Sequence, residues 1–187
     1  KTSFAQRLRV QMQVMGLRPV SISLDNYFVN REETPKTPAG AYDYECLEAL
    51  DVGLFNKDML ALLKGESVVL PRYNFKTGER EWEGQEPLTL EKSQPIIVEG
   101  IHGLNEKLTA AIPRDYKFYV SALTQLNIDA HNRIPTTDAR LIRRLVRDYQ
   151  FRGASALKTL KQWPDVRQGE EKYIFPYQNN VDAVFNS

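Results

Sequence analysis

Apolar side chains recur at helical spacing at the start of the chain, as Phe4, Leu8, Met12 and Met15, and predict a helix over residues 1–15 that Gly16 stops. The next run, PVSISLD (19–25), alternates and is β-branched, which predicts a strand that delivers the Asp25 carboxylate at its C-terminal end. Residues 30–44 are rich in Pro, Thr and charge and read as a long functional or mobile loop. LFNKDMLALLKGE, from Leu54, predicts a short helix stopped by Gly65. SVVLPRYNF and EPLTLE flank the polar stretch KTGEREWEGQ, so residues 68–92 read as a hairpin-like excursion. IIVEG, after Pro95, is a second strand ending on a carboxylate, Glu99, followed by a glycine. YKFYVSA (116–122) and VDAVFNS at the end of the chain predict two more strands, with the helical TTDARLIRRLVRDYQFRG between them. Strands alternating with helices predict an α/β domain with a parallel sheet and ligands at the strands' C-terminal ends.

Composition narrows the classes. A chain of 187 residues suits one domain with a small insertion, and 25 Lys+Arg against 24 Asp+Glu give no global bias toward nucleic acid. No apolar run reaches the ~20 residues of a membrane helix, and no signal-peptide pattern is visible, so the expectation is a soluble cytoplasmic protein. Cys46 is the single cysteine, which excludes an internal disulfide, and with only His102 and His131 a zinc site is disfavoured. A metal here would be a hard, oxygen-seeking one.

Charge becomes informative along the helix around Asp138. With residues advancing about 100° each and Arg140 at zero, Arg143, Arg144 and Arg147 fall at roughly 300°, 40° and 340°. Leu141, Ile142, Leu145, Val146 and Tyr149 fall between about 100° and 240°. A solvated charged face is one reading of this arginine stripe. The other is a polyphosphate partner, since the planar guanidinium fork matches phosphate oxygens; Arg152 extends the stripe by a turn. Asp25 and Glu99 can each be a helix cap or a solvated strand end. On two strands of one parallel sheet they can also converge to hold magnesium or take a proton. His102 and His131 read as structural or exposed. The aromatics Tyr27, Phe28, Tyr42, Tyr44, Tyr73 and Phe75 read as core or loop anchors, or, for the Tyr of PRYNF, as a platform for a nucleobase.

Lys1-Thr2 matches the end of a G-x-x-x-x-G-K-[ST] phosphate-binding loop. KTS, SLDNYFVN, PRYNF, IIVEGIHGL, DARLIRRLVRDYQFRG and VDAVFNS occur in the order found in the uridine kinase and phosphoribulokinase group of P-loop kinases, and the resemblance covers nearly the whole chain. The segment from RGASALKTL onward resembles bacterial uridine kinase-like proteins fused behind domains similar to those of threonyl-tRNA synthetase. The resemblance implies a P-loop NTPase three-layer α/β/α fold with sheet order 2-3-1-4-5, the hairpin insertion at 68–92 and an arginine-rich lid over 136–170. It implies ATP and Mg2+ as cofactors and phosphorylation of a nucleoside 5′-hydroxyl, with uridine or cytidine as the favoured acceptor.

Its roles carry over residue by residue. Lys1, Thr2 and Ser3 would meet the phosphates, and Thr2 with Glu99 the metal. Asp25 would accept the proton of the acceptor hydroxyl. Arg140, Arg143, Arg147 and Arg152 would belong to the lid, with Arg147 acting in the reaction. Tyr27, Asp43, Tyr73 and Arg140 would face the acceptor, and Asn186 would approach adenine. The chain departs from animal uridine-cytidine kinases at PRYNFKTGERE, where Asn74 replaces an Asp and a base-reading His is absent. That leaves room for a sugar or phosphosugar kinase of the phosphoribulokinase type. A nucleotide- or RNA-binding regulatory module without turnover is the reading from another class, although nucleic acid is disfavoured. Homo-oligomerisation stays open. The group's fold places a strand and a glycine-rich loop ahead of Lys1, so the expectation is that the sequence is part of a longer chain.

Overall fold

A computed structural model describes residues 2–38, 40–113, 115–121 and 126–186. Helix α1 spans Thr2–Val14 and strand β1 Val20–Ser23. After β1 come single 3-10 turns at Leu24–Tyr27, Arg31–Glu33 and Leu47–Ala49, then helix α2, Val52–Leu63. Strands β2 (Arg72–Asn74) and β3 (Glu79–Glu81) form an antiparallel hairpin, and β4 (Ile96–Glu99) and the short α3 (Glu106–Thr109) follow. Strand β5 is Phe118–Ser121, and β6 (Leu126–Asn127) and β7 (Arg133–Ile134) form a two-residue ladder. The chain ends with α4 (Thr136–Arg152), α5 (Ala156–Tyr173) and β8 (Ala183–Asn186).

Two parallel strand pairs frame the molecule: β1 with β4, and β5 with β8. Helix α1 packs on β1 and β4, while its Phe4 ring meets Phe118 of β5 at 5.7 Å and Phe185 of β8 at 4.6 Å between centroids. One amphipathic helix thus covers both pairs. The main core lies on the side of α2: Ile22 and Leu24 from β1 and its turn, Phe55, Met59 and Leu62 from α2, and Tyr73 from the hairpin are all buried. Helix α2 starts where it does because Asp51 caps it, accepting from the Leu54 amide at 2.9 Å.

The segment 30–44 is a loop that opens with one 3-10 turn and buries Thr34. Helix α4 ends at Gly153, whose φ of 60° is the left-handed cap expected of glycine, and its arginine stripe is divided: Arg143, Arg147 and Arg152 are exposed, whereas Arg140 and Arg144 are half-buried beside carboxylates. Ile142, Val146 and Tyr149 are 56%, 50% and 76% exposed, whereas Asp148 is 3% exposed. Buried carboxylates draw part of the arginine-bearing side toward the protein, and the apolar stripe is split, with Leu141 and Leu145 half-buried and Ile142, Val146 and Tyr149 outside. Helix α5 has no clean period to announce it: Pro164 lies inside it and Gly169 interrupts its side chains.

Candidate active site

The chemistry gathers where β1 and β4 end. Their register pairs Ser23 with Glu99, so both strands stop at one level. The Ser23 hydroxyl donates to Glu99 Oε1 at 3.0 Å, and the Thr2 hydroxyl donates to both Glu99 oxygens at 3.1 Å. A cleft of about 420 Å³ opens between α1 and the strands, lined by Thr2, Gln6, Ser21, Ser23 and Glu99 among others. Two residues past Ser23, the half-buried Asp25 sits in the Leu24–Tyr27 turn. Gly100 is what lets the two strand ends approach: a Cβ there would lie 2.5 Å from Leu24 Cβ.

Thr2 and Ser3, both exposed, open α1, where backbone N–H groups without helical partners favour an anion. Lys1 lies outside the described residues. Hydroxyl and carboxylate oxygens are what magnesium takes, and it commonly uses one or two protein carboxylates and completes its shell with phosphate and water. Thr2 and Glu99 fit that pattern; no group of three metal-ligating side chains occurs among the described residues.

The acceptor candidates separate. Tyr73 is 6% exposed and belongs to a chain of rings in which Phe28 lies 6.1 Å from Tyr44 and 5.5 Å from Tyr73, and Tyr73 lies 5.2 Å from Phe75. Asp43 spends one oxygen on the amides of Glu45 and Cys46, at 3.0 and 3.2 Å. Tyr27, expected beside the acceptor, is instead fully buried, and its hydroxyl donates to Asp58 of α2 at 3.1 Å. Burial and the adjacent carboxylate push the Tyr27 phenol far up, and burial raises the Asp58 carboxyl as well. Asn74 is consumed by the hairpin turn: its amide donates to Glu81 at 2.8 Å and its oxygen accepts from Lys76 N at 3.0 Å.

Residues that no sequence pattern singled out tie this hairpin to the Asp25 turn. Asn26 Oδ1 accepts from Tyr73 N at 3.3 Å, Asn30 Oδ1 from Arg80 N at 3.0 Å, and Arg80 forms a 2.8 Å ion pair with Asp51. Each joins residues 29 to 50 positions apart, which periodicity cannot register.

The arginines of α4 are organised by two buried carboxylates that sequence reasoning also passed over. Asp148 receives Arg147 at 2.9 Å, Arg144 at 3.3 Å and Arg152 at 3.9 Å, together with the Thr159 hydroxyl at 3.3 Å. Glu170, 2% exposed, pairs with Arg140 and, at 2.7 Å, with Arg167. Arg140 is therefore held against α5, while Arg143 is exposed. Arg152 also lies over the Phe75 ring at 5.3 Å, joining the end of α4 to the hairpin. Burial and the neighbouring Arg147 lower its pKa, and the charges of Asp148 and Asp25 act against that, so Arg152 lies in the field of Asp25. Asn186 is an exposed residue ending β8, in register with Ser121.

The phosphoribulokinase/uridine kinase family model matches residues 1–187. A uridine kinase of Bacillus pumilus is 30% identical over 161 residues, covering 86% of this chain and 69% of that protein. A uridine kinase of Saccharomyces cerevisiae is 27% identical over 190 residues; the match covers all of this chain and 34% of the yeast protein, so the chain spans about a third of that relative. Among solved structures, a possible uridine kinase from Bacillus stearothermophilus superposes with a TM-score of 0.59 at 17% identity, covering 99% of this chain and 81% of that one. That likeness is one of fold.

Proposed function

Because this chain belongs to the phosphoribulokinase/uridine kinase family, we propose that it phosphorylates the 5′-hydroxyl of a nucleoside, uridine or cytidine, using ATP. The observation that carries this reading is the common end of β1 and β4, where Glu99 is in register with Ser23 and Asp25 follows two residues later. Glu99 is gripped by Thr2 and Ser23 beside the start of α1, and Asp25 lies in the turn whose Asn26 bonds the aromatic hairpin.

The roles follow from placement. Thr2 and Glu99 would hold magnesium, and the first N–H groups of α1 with Lys1 and Ser3 would receive phosphate oxygens. Bound Mg·ATP supplies the phosphoryl group, with the ion withdrawing charge from its oxygens. Asp25 takes the proton from the acceptor hydroxyl and orients its oxygen. Arg147 and Arg152, with the exposed Arg143, would offset the negative charge of the phosphates, and the α4–α5 pair would exclude water. Arg140 contributes by fixing α4 on Glu170. Tyr73 and Asp43 border the acceptor, and Asn186 borders adenine.

The two parallel pairs suit the outer pairs of a 2-3-1-4-5 sheet. Among the described residues no helix is long and apolar enough to cross a membrane.

The test is ADP release from Mg·ATP by the full natural chain, measured separately with uridine, cytidine, adenosine, ribose and ribulose 5-phosphate. Stimulation by uridine or cytidine is the expected result. Stimulation by ribulose 5-phosphate alone would move the activity to the phosphosugar kinases of the same family, and steep salt-dependent RNA binding without turnover would replace it with a binding role.

A further inference from the structure

Tyr27 and Asp58 form a buried polar pair in a core that has no evident need of one. Tyr27 is 0% exposed and Asp58 6%, and the surrounding side chains are apolar: Phe55, Met59 and Leu62 from α2, Leu24 and Phe28 from the turn. Phe55 stands edge-on to the Tyr27 ring at 5.3 Å. A Phe at position 27 would fill the same space without burying a hydroxyl, and Asp58 could then be apolar. Taking a carboxylate and a phenol out of water is costly unless their hydrogen bond accomplishes something that apolar packing cannot.

What it accomplishes is direction. The Leu24–Tyr27 turn is a single four-residue 3-10 turn with no side-chain cap at its start, a weak element by itself. Apolar contacts hold a ring in a pocket but are non-directional, whereas a 3.1 Å hydroxyl–carboxylate bond sets both distance and angle. Tyr27 is two residues from Asp25 in this same turn, and its carbonyl also accepts from the Asp51 amide at 2.8 Å at the start of α2. Side chain and backbone of Tyr27 thus both anchor on α2, one near its first turn and one near its middle.

We propose that Tyr27 and Asp58 are a positioning pair that sets the place of Asp25 relative to α2. The inference rests on the reading of Asp25 as the base, and neither residue touches the acceptor.

The test uses the full natural chain and four variants: Tyr27→Phe, Asp58→Ala, Asp58→Asn and the double variant Tyr27→Phe/Asp58→Ala. Tyr27→Phe and Asp58→Ala should each lower kcat by about tenfold or more with KM for ATP unchanged, since small misplacement of a reacting group carries a large penalty. The double variant should be no slower than either single one, because one bond is lost in all three. Asp58→Asn keeps an acceptor for the Tyr27 hydroxyl and should retain turnover within about twofold of the natural protein. Hydrogen exchange at the amides of Asp51 and Val29, which bond to Tyr27 O and Ala49 O, should quicken in Tyr27→Phe and Asp58→Ala and stay slow in Asp58→Asn.

Lower melting temperature with kcat and exchange unchanged would reduce the pair to core packing and overturn the proposal, as would independent, multiplying losses in the double variant. Absence of turnover by the natural protein with every acceptor would sink the kinase reading alone, and the exchange pattern would then decide the positioning role by itself.

Discussion

Asp25 and Asp58 are two aspartates of the same region with opposite assignments, and single substitutions separate them. Asp25 is half-buried in the turn after β1, within the field of Arg152, and is the group we propose as the proton acceptor. Asp25→Asn removes the base but keeps the shape, so turnover should fall by about 10²–10⁴-fold while ATP binding measured by calorimetry stays within about twofold. Equal loss of both would mean that Asp25 holds the phosphates or the fold. Asp58 is raised above the ordinary carboxyl value by burial, with the Tyr27 hydroxyl and Lys57 opposing. A carboxyl raised by folding favours the folded state while protonated, and that advantage is lost as pH climbs from its unfolded value through its folded one. Melting temperatures of Asp58→Asn should therefore fall less than those of the natural protein as pH rises from about 4; identical slopes would show that Asp58 is not linked to folding.

At the scale of elements, α4 is the helix whose orientation matters most. Its five-residue apolar stripe reads as a core face by period alone, and its arginines read as a surface. The fold divides both faces between protein and solvent because Asp148 and Glu170, each nearly inaccessible, can be buried only with cations beside them, and Arg140, Arg144, Arg147 and Arg167 supply those. Two substitutions measure this. Val146→Ser on the exposed stripe should change stability by no more than about 0.5 kcal/mol, the range of ordinary surface changes. Asp148→Ala leaves three guanidiniums facing one another and should cost about 3 kcal/mol in denaturant unfolding, along with weaker ATP binding. A large loss from Val146→Ser with a small one from Asp148→Ala would put the stripe back in the core. The hairpin of β2 and β3 is held by a different device, side chains of Asn26, Asn30 and Asp51 reaching across from the neighbouring turn and helix start. Its seat is thereby tied to the Asp25 turn rather than left to its short ladder.

Across the whole molecule, α1 couples the two strand pairs. Phe4 is the contact that joins it to β5 and β8, and Phe4→Ala should lower stability by about 2 kcal/mol, read in denaturant unfolding; a change under about 0.5 kcal/mol would show that the pairs are held together without it. Much of this architecture is legible in the sequence. Runs such as VSIS and IIVE are strands because their β-branched side chains suit a pleated surface, and the sequence alone places a carboxylate at or just past the end of each, Glu99 closing β4 and Asp25 two residues beyond β1. The bounds of α4 were equally plain, from its long period and the glycine at its end. Other features were not legible. Tyr27 sits in a motif whose family likeness placed it beside the acceptor, yet its partner, Asp58, lies 31 positions away. Asn26 finds Tyr73 at a separation of 47, and the arginine stripe finds Glu45 and Glu170 on segments that share no pattern with it. The sequence by itself determined the order of elements and the chemical groups at their ends, because propensity, period and capping act between near neighbours. Only the tertiary structure decided which side chains of α4 are covered, which aromatic ring is buried and which side chains anchor the Asp25 turn, because burial and pairing depend on groups brought together from distant positions.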